Sequence, residues 1–279
     1  MNILSCPVAY TGNKSKQIEQ IITSAPSVDT FVDVFGGSGV VTINAAHSGK
    51  FNTVFYNELD KYVWSLVFNS LTVYNFADIC EMIHENYPTD KSGYLLLRDD
   101  YNKERTSVKK SAMLFNLICR SFSNMCRHNK SGQFNVPFGE RNHLPIRIQA
   151  SREAYIAAQS SGVVGWLGVD YKRAFSLLSE RPSVVYYVDP PYAVSDASYN
   201  NGWTENDQVE LHAELDAANK RGQFFMYHNV IENRGKMNEG LISWLENNSY
   251  NVLDSVGDFR NTSFRKATGK TVEVMITNY

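Results

Sequence analysis

Four consecutive residues, Asp189-Pro190-Pro191-Tyr192, carry more potential chemistry per position than any other stretch of this chain. Asp189 supplies a carboxylate that accepts hydrogen bonds. Pro190 and Pro191 have no N–H, so they offer only carbonyls, held on a stiff path. Tyr192 supplies a flat face for stacking. The set suits a planar ring that carries an exocyclic amino group. Asp189 and a proline carbonyl would take both amino hydrogens, drawing the nitrogen lone pair out of the ring system and freeing it to attack. The same residues also fit a strand that ends in a rigid turn, so the surrounding elements have to decide.

The five residues before them, Val184-Val185-Tyr186-Tyr187-Val188, read as a strand buried on both faces and stopped by the prolines. Asp189 then lies at the carboxyl end of a central strand, the edge where open α/β sheets bind ligands. Another strand, Thr30 to Phe35, runs straight into Gly36-Gly37-Ser38-Gly39 and a helix from Val40. Dinucleotide and nucleoside folds use that order, and the glycines let a ligand approach the backbone. The spacing is not GxGxxG, which disfavours a pyrophosphate and a nicotinamide-dependent dehydrogenase. The next strand, Thr53 to Asn57, ends at Glu58, roughly 20 residues past the glycine turn, where an acid meets ribose hydroxyls. A nucleoside-type cofactor without a pyrophosphate points to S-adenosylmethionine.

With 279 residues, 43% hydrophobic, 20% charged and a formal net charge of −2, the composition is that of an ordinary globular protein. The length suits one large domain or a core with an insertion. No apolar run approaches the ~18 residues of a membrane span, and the N-terminus lacks the pattern of a signal peptide. Cys6, Cys80, Cys119 and Cys126 form no CxxC pair, so the expectation is a reduced cytoplasmic protein with no metal. The overall charge does not announce a nucleic-acid binder, but its distribution does. Arg120, Arg127, Lys130, Arg141, Arg147 and Arg152 fall in one stretch where Glu140 is the only acid, and a local basic region can meet phosphates.

From Asn75 to Phe122 the alternation of strands and helices stops. Helices are predicted at Ala77–Tyr87, Gly93–Asn102 and Val108–Ser121, which suggests an inserted subdomain. The run from Phe122 to Gly139 then mixes aromatics, amides and a guanidinium, with Asn129 to Gly132 as the tip of a hairpin. Arginine reads guanine bidentately in the major groove, and Phe122 and Met125 are apolar wedges of the kind that fill a gap in a base stack.

With these motifs in order, the chain resembles the Dam family of DNA adenine methyltransferases, in both its phage and enterobacterial branches, over nearly its whole length. The resemblance rests on Tyr10-Thr11-Gly12-Asn13-Lys14, Phe31 to Gly39, Ser123-Asn124-Met125-Cys126-Arg127, Gly132 to Gly139, Asp189-Pro190-Pro191-Tyr192 and Tyr199-Asn200. Their order is that of the family's α group. The resemblance implies an α/β fold: a Rossmann-like class I methyltransferase sheet, residues 1–72 and 154–279, with an inserted, mostly helical target-recognition domain, residues 73–153, carrying a β-hairpin. It also implies methylation of adenine N6 on a flipped base of double-stranded DNA, at GATC, without an obligatory protein partner.

Roles carry over by position. Tyr10, Lys14, Asp33, Phe35, Gly36, Gly37, Glu58 and Tyr171 would contact the cofactor. Asp189 and Pro190 would hold the target amine beside it, and Tyr192 would stack on the flipped base. Phe122, Ser123, Asn124, Met125, Arg127, Asn135, Pro137, Tyr199 and Asn200 would meet DNA, with Arg127 reading the guanine before the target adenine. Two departures stand out: Glu58 replaces the usual aspartate, and Ala9 stands where the enterobacterial branch has a base-contacting lysine, which the phage branch also lacks. Rival readings are a cytosine-N4 methyltransferase, although Ser-Pro-Pro-Tyr is commoner there, and a DNA-binding relative without activity.

Downstream, Thr204 and Asp207 read as a helix cap, Ala193 to Trp203 as a polar loop over the base pocket, and Tyr250–Val256 with Thr271–Asn278 as closing antiparallel strands. Between the last two, Arg260, Arg265, Lys266 and Lys270 form a basic loop suited to phosphates. Alanine substitutions at Arg265 and Lys266 are expected to flatten the slope of log affinity against log salt in a DNA titration; an unchanged slope removes them from the interface.

Overall fold

Every residue of Thr30–Asp33 and of Val184–Val188 is buried, and the two strands pair in parallel from Thr30 opposite Val184 to Asp33 opposite Tyr187. They are β1 and β4 of an eight-stranded sheet in the computed structural model, which describes residues 2–140, 144–161, 164–194, 202–254 and 271–279. In chain order the elements are α1 (Ile18–Ser24), β1 (Thr30–Asp33), α2 (Val40–His47), β2 (Thr53–Asn57), α3 (Lys61–Thr72), α4 (Phe76–Asn86), α5 (Lys91–Lys103), α6 (Ser107–Arg120), α7 (Leu144–Ser161), β3 (Val164–Leu167), α8 (Tyr171–Leu177), β4 (Val184–Val188), α9 (Glu205–Lys220), β5 (Phe224–Asn233), β6 (Lys236–Met237), α10 (Glu239–Glu246), β7 (Asn251–Asp254) and β8 (Thr271–Thr277).

The strand order is β3-β2-β1-β4-β5-β8-β7, with β6 paired to β5. The first five strands are parallel, and β8 runs antiparallel to both its neighbours. This is the class I methyltransferase sheet that the resemblance implies. Side chains alternate between two cores. Phe31, Val185, Tyr187 and Met226 face α1 and α2. Val32, Val184, Tyr186 and Val188 face α8, α9 and α10. Burial on both faces explains why these strands read as unbroken apolar runs.

The helices predicted between residues 75 and 122 are present as α4, α5 and α6. They do not pack apart from the sheet: Tyr94, Leu97, Tyr101, Phe115 and Phe134 share one core with Ile43, Tyr56, Val63 and Val67. The 18-residue α7 adds a helix that the periodicity does not show. It touches α2 and α3 as well as α4 and α6, and the boundary expected after residue 153 falls inside it. Its pattern is concealed because Ala154, Ala157 and Ala158 are buried while Ile146 and Ile156 face solvent. Among the described residues no helix is long and apolar enough to cross a membrane.

The C-terminal ends of β1, β2 and β3 are tied by Asn57. Its amide donates to the carbonyls of Val34 (2.9 Å) and Val169 (3.0 Å), and its carbonyl accepts from Val169 N (3.0 Å). Asn57→Ala strands one buried and two part-buried backbone groups and is expected to destabilise the fold by about 2 kcal/mol in chemical denaturation. A loss under about 0.5 kcal/mol, the scale of a neutral surface change, refutes this tie.

Candidate active site

The strand order reverses between β1 and β4, and both strands stop at the same edge. Asp33 closes β1, Asp189 follows β4, and the chain after β1 turns at once through Gly36, Gly37 and Gly39. Gly36 donates its N–H to the carbonyl of Asn57 at 2.7 Å, so close that a Cβ there would lie 2.3 Å from the Tyr56 ring. Gly39 caps α2 with φ +73°, a conformation that strains any L side chain. Tyr56 Oη donates to Gly37 O at 2.8 Å. Glu58 accepts from Gly37 N (3.0 Å) on one oxygen and from Asp60 N (2.8 Å) on the other. Burial raises the Glu58 carboxyl above its ordinary value, and these amides only partly offset it.

Asp33 accepts from Thr42 Oγ1 at 2.7 Å through Oδ2, while Oδ1 is buried with no hydrogen-bond partner. Burial, against the Thr42 bond and with the negative charges of Asp189 and Glu58, pushes its carboxyl up to about 7. An orphaned acid, a second acid held by backbone amides and a turn that tolerates no Cβ form a cradle that fits a nucleoside bearing positive charge.

The other half of the site is a buried cluster around Lys14. Its ammonium lies 2.6 Å from Asp189 Oδ2 and 3.3 Å from Glu273 Oε1, and donates to Tyr192 Oη at 3.0 Å. The Tyr192 hydroxyl reaches Asp189 Oδ1 at 2.8 Å and Glu273 Oε1 at 2.9 Å. His228 Nδ1 lies 3.7 Å from Glu273 Oε1. Burial opposes the charge on Lys14, but Asp189 and Glu273 outweigh it and raise its pKa. Burial likewise works against Glu273, yet His228, Lys14 and Tyr192 bring its carboxyl down to about 2. Burial, then Asp189 and Glu273, hold the Tyr192 phenol well above its usual range.

One cavity of about 550 Å³ joins the two halves: Tyr10, Lys14, Asp33, Phe35, Gly36, Gly37, Glu58, Asp189, Pro190 and Tyr192 all line it, and so do Met125 and Arg127. Tyr171 does not reach the wall. It stands behind Phe35 at 5.6 Å between ring centroids, with Trp203 against both rings.

The hairpin is present as backbone bridges Ser121–Phe138 and His128–Phe134, with Gly132 closing the tip on Asn129. Arg127 is exposed, and Asn135 holds its Nε at 2.9 Å. Pro137 is exposed at the base of the hairpin, and its carbonyl accepts from Phe122 N at 2.9 Å. Phe122 packs partly on the helical core. Ser123 and Asn124 both adopt left-handed backbone, at φ 54° and 52°, and the Asn124 amide donates to Ile118 O at the end of α6. Tyr199, Asn200, Arg265 and Lys266, with Arg260 and Lys270 of the same basic loop, lie outside the described residues.

The basic run is only partly available to phosphates, which corrects the reading from charge alone. Arg120 is buried, its guanidinium on the carbonyls of Pro88 and Asp90. Arg147 donates to Cys6 O at 3.0 Å, and Arg152 pairs with Asp78 and Glu81. Arg141 lies outside the described residues, which leaves Arg127 and Lys130 exposed. Sequence reasoning missed Glu273 and His228. Each is a charged or titratable residue inside an apolar strand, a signal that was there to be read. It also missed Thr11, whose hydroxyl donates to Ser123 O at 2.8 Å and joins the segment before Lys14 to the loop after α6.

Comparison with known proteins agrees with this geometry. The family profile described as D12 class N6 adenine-specific DNA methyltransferase matches residues 10–256. The chain is 31% identical over 291 residues to the type II methyltransferase M.FokI of Planomicrobium okeanokoites, and 30% identical over 288 residues to the modification methylase LlaI of Lactococcus lactis subsp. lactis. These alignments cover 99% and 98% of this chain but 43% of each relative, so the chain spans less than half the length of these two relatives. The DNA adenine methylase of Escherichia coli (strain K12) is 24% identical, over 72% of each chain. The kinship therefore holds for the D12 class as a whole, with the Escherichia coli DNA adenine methylase at lower identity than M.FokI and LlaI.

The raised Asp33 carboxyl fixes a pH dependence. An acid whose folded pKa lies above its unfolded value contributes stability at low pH that is lost as pH climbs from 3.8 towards about 7. Asn at this position keeps the Thr42 bond and carries no charge. Asp33→Asn is thus expected to raise the melting temperature modestly at pH 5, where the loss is partial, and clearly more at pH 8, where it is complete. An equal shift at both pH values refutes the assignment.

Proposed function

The chain belongs to the D12 class of N6 adenine-specific DNA methyltransferases, and from that membership we propose that it methylates the N6 amine of an adenine flipped out of duplex DNA, using S-adenosylmethionine. One observation carries the reading: the acid after β4 and the glycine turn after β1 open into one cavity, with Met125 and Arg127 on its wall. When bound, S-adenosylmethionine supplies a methyl group made electrophilic by its sulfonium. Glu58 would hold the ribose, and Asp33 and Phe35 the adenosine and its charge. Asp189 and the Pro190 carbonyl would accept the hydrogens of the target amine and leave its nitrogen lone pair free to attack. The Tyr192 ring forms the platform for the flipped base, its hydroxyl anchored in the Lys14 cluster. Alignment of the reacting atoms then carries most of the catalysis. Flipping costs a few kcal/mol, offset by stacking on Tyr192 and by Phe122 filling the gap in the duplex.

Arg127, held by Asn135, reads the guanine before the target adenine, and GATC is the site proposed from the resemblance to the Dam family. The decisive experiment is labelled methyl transfer into unmethylated DNA, with mass spectrometry of the digested product and mapping of modified positions. N6-methyladenine at GATC is expected. N4-methylcytosine would overturn the substrate assignment. Asp189→Ala should abolish transfer while changing DNA affinity less than about tenfold, and normal transfer by this variant would remove Asp189 from the mechanism. Arg127→Ala should relax discrimination at the preceding base by about 1–3 kcal/mol; unchanged base preference assigns recognition elsewhere.

A further inference from the structure

Asp189 has no obvious freedom to act. Both carboxylate oxygens already have partners, Lys14 at 2.6 Å on Oδ2 and the Tyr192 hydroxyl at 2.8 Å on Oδ1. An ammonium in contact with a carboxylate inside the protein draws off the electron density that would otherwise accept hydrogens from an amine. The cluster also holds a group that competes for Lys14 and that the proposed reaction does not use. Glu273, on β8, lies 3.3 Å from the same ammonium and accepts from the same hydroxyl at 2.9 Å, with a side chain only 7% exposed. Two buried acids share one lysine. On the far side of Glu273 stands His228 of β5, fully buried, with neither ring nitrogen hydrogen-bonded.

We propose that Glu273 and His228 are positioning residues for the transfer step: Glu273 holds part of the Lys14 charge away from Asp189, and His228 sets how strongly it does so. While Glu273 shares the lysine, Asp189 keeps its power as an acceptor; without that second anion, Lys14 leans onto Asp189 and the grip on the amine weakens. Every element packed on this pair contributes. β4 presents Tyr187, whose ring centre lies 5.4 Å from that of His228. The segment after β4 presents Asp189 and Tyr192, the N-terminal segment Lys14, and β8 Glu273. Lys14 is the only one of these that carries a fixed positive charge, so the two carboxylates compete for it. The pair touches neither the base nor the cofactor in this scheme and acts only through Lys14 and Tyr192.

This inference rests on the methyl-transfer reading, and the test separates the two. Wild type, Glu273→Gln and His228→Asn are compared in single-turnover and steady-state methylation of a duplex oligonucleotide, with melting temperatures as the check on folding. Gln keeps a carbonyl for the Tyr192 hydroxyl but removes the charge. Glu273→Gln is expected to lower kcat roughly tenfold or more while KM for DNA changes less than about twofold, the pattern of an interaction that matters in the transition state. His228→Asn, which leaves the Glu273 charge in place, should lower kcat by less than Glu273→Gln, again with KM for DNA nearly unchanged. A Glu273→Gln enzyme with wild-type kcat, or one whose KM for DNA rises as its kcat falls, overturns this inference alone. A wild-type enzyme that methylates no adenine overturns the functional reading and this inference with it.

Discussion

The parallel pairing of β1 with β4 is the constraint on which the rest depends. Asp33 lies opposite Tyr187, so two segments far apart in the chain stop at one sheet edge, and each releases its next residues into the same space. Because β1 and β4 are buried on both faces, register here is not held by a polar face and an apolar one. It is held by the shapes of two different cores. A slip of one residue would send Phe31 and Tyr187 into the core built for Val32 and Tyr186, and would carry the acids out of the cavity together with them.

The second constraint is electrostatic. The two strand ends each bring an acid into a poorly solvated place, and the protein treats them differently. Asp189 receives a lysine, a tyrosine hydroxyl and a competing glutamate. Asp33 receives one threonine and keeps an oxygen without a partner. Such an oxygen is costly in a dry interior, which is why the carboxyl resists ionisation. A positively charged ligand relieves that cost. A site with one compensated acid and one uncompensated acid is polarised before anything binds, and the polarity runs from the Lys14 cluster towards the glycine turn.

Much of this was legible in the residues. Val184–Val188 and Thr30–Asp33 announce themselves because burial on both faces forbids polar side chains. The glycine turn does so because only glycine fits under Tyr56 and at φ +73°. The recognition hairpin was visible through its turn chemistry at Asn129–Gly132. Other features were hidden for physical reasons. α7 conceals its period because alanines make most of its buried face while Ile146 and Ile156 point to water. The basic run from Arg120 to Arg152 looks like a phosphate surface in one dimension. In three dimensions Arg120 and Arg147 bind main-chain carbonyls and Arg152 meets acids from α4. Glu273 belongs to a strand that the sequence shows, Thr271–Asn278, but its meaning and that of His228 depend on Lys14, which the chain brings to them only by tertiary folding.

The hairpin between α6 and α7 begins and ends at nearly one point: Phe122 N bonds Pro137 O, and Gly139 N bonds Arg120 O, both at 2.9 Å. Between those ends Phe134 and Val136 are buried in the helical core, and Met125 and Cys126 pack partly against it. The segment is therefore a cassette with adjacent sockets. Its exposed part can vary in sequence without moving the helices on either side, provided the buried residues are kept. A cut after residue 153 would sever a helix that supports sheet and insert alike.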